Sequence, residues 1–178
     1  MILKTTKMKY KINLFAILFS SFLFAQVSTT RINDFRLGMK KTELEKIIGK
    51  TIQLKLSDGY PIENSHIVHK GIVYEVSFNK HYDDNGNESK DFIIHSVTSR
   101  DRSLKTLSGI SLGSTFDEVL NKYKNNNISI YDSWDDNGNR DKSGRRFVID
   151  DYDFGSQLMI LIKNGKVTEF YISYNEGC

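Results

Sequence analysis

Two stretches of this chain share one layout. "FRLGMKKTELEKIIGK" runs from Phe35 to Lys50, and "ISLGSTFDEVLNKYKN" runs from Ile110 to Asn125. Each has an apolar residue, a spacer, Leu-Gly, a short polar stretch and then a helical pattern. Leu37 and Leu112 are placed to pack under a sheet. Gly38 and Gly113 supply positive φ, which turns the chain sharply into a helix without a Cβ clash. The polar residues that follow satisfy free N–H groups at a helix start. Neither glycine sits in a glycine run that would cradle phosphate, so the corners read as structural. A corner built twice predicts an architecture of like parts.

The surrounding pattern supports that reading. The first helix is predicted over about Lys41 to Ile48, with Leu44, Ile47 and Ile48 on one face. Thr42 and Glu45 have capping-box spacing, and Gly49 is placed to end the helix. "TIQLKL" alternates Ile52, Leu54 and Leu56 against polar residues, which predicts a half-buried strand. "SDGYPIENS" is a loop around the only proline, Pro61. "GIVYEVSFN" and "FIIHSVTS" read as strands joined by the turn "HYDDNGNESKD". A charged link follows near Arg100 to Thr106. A second helix is predicted from about Phe116 to Lys124, striped by Phe116, Val119, Leu120 and Tyr123. Ser114 with Asp117, and Thr115 with Glu118, have capping-box spacing. Strands follow at "ISIYDSW", "RRFVID", "QLMILIK" and "KVTEFYISY", the last two joined by Asn164-Gly165, a strong two-residue hairpin signal. The expected fold is α+β. It has two tandem units over residues 26–104 and 105–178, each a short helix followed by three to four antiparallel strands.

Residues 1–25 read differently. Lys4, Lys7, Lys9 and Lys11 precede an apolar run from Leu14 to Ala25, broken only by Ser20 and Ser21. A basic start before about a dozen apolar residues is the pattern of a secretory signal peptide. The run is shorter than the ~20 residues a membrane-spanning helix needs. Cleavage is expected after Ala25, although Leu23 departs from the small-residue rule. The whole chain carries 25 basic and 22 acidic residues; without the leader the balance is 21 to 22, hence −1. The basic character therefore belongs to the export signal and gives no reason to expect a nucleic-acid partner. The single cysteine, Cys178, leaves no internal disulfide. The expected location is exported, periplasmic or extracellular, with no membrane span after cleavage.

"LGMKKTELEKIIGK" and "LGSTFDEVLNKY" resemble the Gly-containing turn and helix of the β-lactamase inhibitory protein-like group and of the small outer-membrane assembly lipoproteins of the SmpA/OmlA type. The inhibitory protein is similar in carrying two tandem helix-plus-sheet units on an exported chain of about this size. This chain departs from both: it lacks the inhibitory protein's disulfides and the lipoproteins' lipidated cysteine. The resemblance implies a non-catalytic protein-binding module and carries over no inhibitory-loop residues.

Reactive constellations are sparse. "DDNGN" occurs at Asp83–Asn87 and at Asp135–Asn139, grouping oxygen donors of the kind calcium takes. Its spacing fails the EF-hand template, and a solvated turn accounts for it. His66 and His69 are three apart in an extended segment, so they face opposite sides. No serine occupies a Gly-x-Ser-x-Gly elbow. No catalytic residue, metal or cofactor is expected. The aromatic residues are more informative. Phe78, Phe92 and Phe170 are assigned to the core, whereas Tyr131 and Tyr171 fall among polar neighbours and Trp134 adjoins an acidic turn. Tyr and Trp are enriched at interfaces. Tyr131, Trp134, Asp135, Asp136 and Tyr171 are therefore the candidate partner-binding residues. The favoured function is an exported, non-enzymatic protein-binding module, with inhibition of or immunity against an enzyme or toxin as its concrete form. The alternatives are an envelope assembly factor and an envelope hydrolase. Partner identity and oligomeric state are not legible in the sequence.

Overall fold

The structure is a computed structural model that describes residues 26–82, 85–135 and 137–175. The predicted leader, Asp83, Asp84, Asp136 and Cys178 lie outside the described residues. Strands β1 (Gln26–Val27), β2 (Arg31–Ile32) and β3 (Phe35–Arg36) open the described chain, followed by helix α1 (Lys41–Ile48). A small hairpin, β4 (Leu56–Ser57) and β5 (Tyr60–Pro61), precedes the longer strands β6 (Ser65–His69), β7 (Ile72–Tyr82) and β8 (Glu88–Ser99). Then come β9 (Lys105–Thr106), helix α2 (Phe116–Tyr123), β10 (Ile128–Trp134), β11 (Arg140–Asp151), β12 (Ser156–Lys163) and β13 (Lys166–Tyr174).

Seven of these strands form one antiparallel sheet in the order β10-β11-β12-β13-β8-β7-β6. This corrects the expected fold of two tandem helix-plus-sheet units. The described residues are mostly strand, with two short helices among them, and β13 pairs directly with β8, Phe170 to Ser173 lying against Ser99 to Ser96. The physical reason is the seam itself. Val97, Phe170 and Ile172 present apolar side chains to one face, so joining the ladders extends a single core instead of closing two. β1, β2, β3 and β9 form a separate four-stranded sheet in which β9, expected as linker, runs parallel to β1.

One face of the large sheet is covered. Tyr74, Val76, Val97, Phe147, Ile149, Leu158, Ile160, Phe170 and Ile172 point to it and join one contiguous core with Phe35, Leu44 and Val119. Phe35 of the small sheet stacks on Tyr74 at 4.0 Å between ring centroids. From α2, Tyr123 is buried and Phe116 is half-buried against the core, and both rings meet Phe147.

The repeated corners are docked identically. Gly38 N–H donates to Ile94 O, and Ile94 N–H donates back to Met39 O, both at 2.9 Å. Gly113 N–H donates to Val167 O, and Val167 N–H to Ser114 O, both at 2.8 Å. Gly38 has φ +75° and Gly113 φ +88°, while Leu37 and Leu112 pack half-buried against the core. The corners thus clip two helices to strands that meet in one sheet.

Local departures have visible causes. Thr115 and Glu118 form the expected capping box of α2. Thr42 and Glu45 do not form one on α1: Thr42 Oγ1 donates to Asp91 Oδ2, and Glu45 pairs with Lys41 and accepts from Ile52 N–H. Capturing Ile52 holds residues 51–55 out of any ladder, so "TIQLKL" is not the expected strand. Ile47 is exposed, leaving Leu44 as the buried residue of α1. Asp58 and Gly59, both at positive φ, close the β4–β5 hairpin where a plain loop was expected.

Candidate functional site

The opposite face of the seven-stranded sheet has no described element packed on it. Strand register assigns its residues. Ser129, Val148, Met159, Tyr171, Thr98, Glu75 and His66 form one continuous row across all seven strands. A parallel row holds Tyr131, Arg146, Leu161 and Glu169. Tyr131 and Tyr171 thus share a face, three strand steps and two residues of register or about 16 Å apart. Val148, Met159 and Leu161 lie between them. None of these three belongs to the contiguous core, yet Val148 is only 3% exposed. Val148, Met159 and Leu161 thus form an apolar cluster between the two tyrosines, in rows that also carry Ser129, Arg146, Glu169, Thr98, Glu75 and His66. Val68 and Val73, cross-strand partners, extend the apolar surface at the far edge. A shallow cavity of about 290 Å³ opens there among His66, Val73, Glu75, Thr98 and Arg100.

The face has a polar mark near its centre. Glu169 Oε2 is buried without a well-directed hydrogen bond, and the Arg100 guanidinium lies 2.5 Å from it as an ion pair. Burial pushes the Glu169 carboxyl above the usual carboxylate range, and the positive charge of Arg100 only partly offsets this. A carboxyl with a raised folded pKa destabilises the fold above that pKa, and the penalty fades as pH falls through it. Glu169→Gln is therefore expected to raise the thermal midpoint at pH 7, with the gain gone below about pH 4, where the unfolded carboxyl is also protonated. Thermal unfolding at the two pH values checks this; an equal gain at both would refute it.

The other expected site residues are placed differently. Trp134 is exposed but lies beyond a bulge between Asp132 and Ser133, paired with Arg140 at the strand end. Close approach fixes that bulge: a Cβ on Gly144 would lie 2.5 Å from Ser133 Cβ. Asp135 is committed to its own turn, accepting from the N–H groups of Asn137 and Asn139, and those contacts hold its carboxyl below the usual range. Asp136 lies outside the described residues. Leu37, Gly38, Leu112 and Gly113 are on the covered side, at the helix corners. His66 faces the open side, and His69 faces inward to Asp34, 3.0 Å away. Among the described residues no three His, Cys, Asp or Glu side chains group to hold a metal ion, and no helix is long and apolar enough to cross a membrane.

The sequence reading missed Val148, Met159, Leu161, Arg146 and Glu169. Their signal was faint: "RRFVID" and "QLMILIK" carry apolar residues at consecutive positions, which puts apolar side chains on both faces of those strands. Comparison with protein-family models, curated proteins and solved structures finds no match for this chain. The resemblance to the inhibitory-protein and assembly-lipoprotein group rests on the two corner motifs alone.

Proposed function

We propose that this chain is an exported, non-enzymatic protein-binding module whose partner docks on the open face of the seven-stranded sheet. One observation carries the reading: no described element packs on this sheet face, where Val148, Met159 and Leu161 lie between Tyr131 and Tyr171. An apolar cluster rimmed by polar groups marks an interaction surface. The central Glu169–Arg100 pair and the aromatic anchors supply specificity of the kind interface hot spots use. Export follows from the basic-then-apolar pattern of residues 1–25. Inhibition of, or immunity against, an enzyme or toxin is the form favoured by the corner resemblance.

Affinity capture with residues 26–178 from envelope and secreted fractions, after mild crosslinking, is the test. A single stoichiometric partner is expected. The Tyr131→Ala/Tyr171→Ala double variant is expected to bind it about tenfold or more weaker, because truncating hot-spot aromatics typically costs 1 kcal/mol or more. Both residues lie off the contiguous core, so the variant keeps its fold. Undiminished binding by the double variant, or no partner in either fraction, would sink the reading. An enzyme whose activity falls on binding would establish the inhibitory form.

A further inference from the structure

A second concavity lies on the covered side of the sheet, away from the open face. Its volume is about 470 Å³, and the first corner, the start of α1 and the ends of β12 and β13 enclose it. Ligand cavities typically span about 300–1,000 Å³ and combine apolar walls with a few convergent polar groups.

Ser156 and Tyr174 are direct cross-strand partners and both line it. Ser156 is 1% exposed, and its Oγ has no hydrogen-bond partner. A buried hydroxyl without a partner is costly, so a group that supplies one is favoured. The wall beside Tyr174 is backbone, because a Cβ on Gly38 would come within 2.6 Å of the phenol oxygen. Leu37 and Met39 give an apolar floor. At the mouth, Arg36 Nη2 and Glu43 Oε1 pair at 2.9 Å, each about half exposed at 56% and 47%. Phe154, on the turn between β11 and β12, stands 70% exposed at the rim.

The chemistry of this lining narrows the occupant. A carboxylate or phosphate attracted to Arg36 would meet the charge of Glu43. A cation attracted to Glu43 would meet Arg36. A purely apolar molecule would leave Ser156 Oγ unsatisfied. Hydroxyl groups donate and accept, and so satisfy serine, phenol, guanidinium and carboxylate together. The electron-rich face of a ring such as Phe154 attracts the positively polarised C–H edge of a saturated ring. We propose that this cavity is a binding site for a neutral sugar ring, which stacks on Phe154 and places hydroxyls toward Ser156, Tyr174 and the Arg36–Glu43 pair. The site is independent of the open sheet face and does not rest on the protein-binding reading.

Titration of the ¹⁵N-labelled chain with D-glucose, D-galactose and N-acetyl-D-glucosamine, followed by amide shifts, tests it. At least one sugar is expected to give saturable shifts at Gly38, Phe154 and Ser156. Phe154→Ala is expected to weaken that binding about tenfold, the scale of one lost aromatic contact. Phe154 is exposed, so the variant keeps its fold. Ser156→Ala removes the buried unpartnered hydroxyl; it is expected to fold at least as stably and to bind more weakly, and it carries the test should the first variant misfold. No saturation by any of the three sugars overturns the proposal. So does the same midpoint with glycerol, saturation of these amides by acetate in place of sugar, or unchanged binding by the variants.

Discussion

Gly38→Ala is expected to destabilise the fold by about 2–5 kcal/mol, and Gly113→Ala by only about 1–2 kcal/mol, although the two glycines occupy equivalent corners. The shared part is backbone: both sit at positive φ, which disfavours any L side chain by about 1–2 kcal/mol. The difference is steric. A methyl at Gly113 meets nothing within 4 Å, whereas one at Gly38 falls 2.6 Å from the Tyr174 hydroxyl oxygen. Overpacking of that kind adds about 1–3 kcal/mol. The corner also bonds to Ile94 at both Gly38 and Met39, so it cannot retreat without losing hydrogen bonds. Tyr174→Phe removes the clashing atom and is expected to recover part of the loss in Gly38→Ala. Urea denaturation of the two single glycine variants, Tyr174→Phe and the Gly38→Ala/Tyr174→Phe double variant forms the cycle. Equal losses at the two glycines, or no coupling between Gly38 and Tyr174, would refute the steric account.

Phe35→Ala is expected to cost about 3–5 kcal/mol, the usual range for a fully buried phenylalanine. Phe35 is fully buried, stacked on Tyr74 and edge-on to His69 at 6.0 Å. With Val27 and Ile32 of the same small sheet, it is buried in the core shared with the seven-stranded one. The Asn33–Asp34 turn beside it is tied down at both residues: Asn33 Nδ2 donates to Tyr74 OH at 2.7 Å, and Asp34 takes His69 and Lys70. Those polar ties hold the turn in place and stop neighbouring groups from filling the cavity, which keeps the loss near the upper end. Equilibrium unfolding by urea measures it. A loss below about 1 kcal/mol would show that the small sheet contributes little to the core.

Local elements were legible where chemistry is local. Asn164 and Gly165 both adopt positive φ and close the predicted β12–β13 hairpin, and β10 and β13 occupy the strands read as "ISIYDSW" and "KVTEFYISY". The two helices likewise lie where their apolar patterns put them, although Ile47 of the first pattern is exposed. Pairing was not legible, because alternation states that a strand has two faces and not which strand lies beside it. "TIQLKL" alternates as well as any true strand here, but Glu45 takes the Ile52 N–H. Conversely, nothing in "FIIHSVTS" and "KVTEFYISY" announces that these segments pair, and that pairing decides the fold. The open face suffered the same way. Tyr131 and Tyr171 stood out by their polar neighbours, but the apolar residues between them become one cluster only once four strands are in register.

The β8–β13 ladder has a kinetic consequence. Every other ladder of the large sheet joins strands adjacent in sequence, whereas this one joins residues 71 to 77 positions apart. Distant pairings form late, because chain closure must be paid before the contacts return anything. Until then β8 and β13 are both long edges with unpaired backbone groups and an apolar face, the condition that invites strand addition from another molecule. The assembling chain is thus most exposed to aggregation in the interval before its last ladder zips. Two chains that meet in that interval have a ready route to a swapped dimer, with β13 of each completing the sheet of the other.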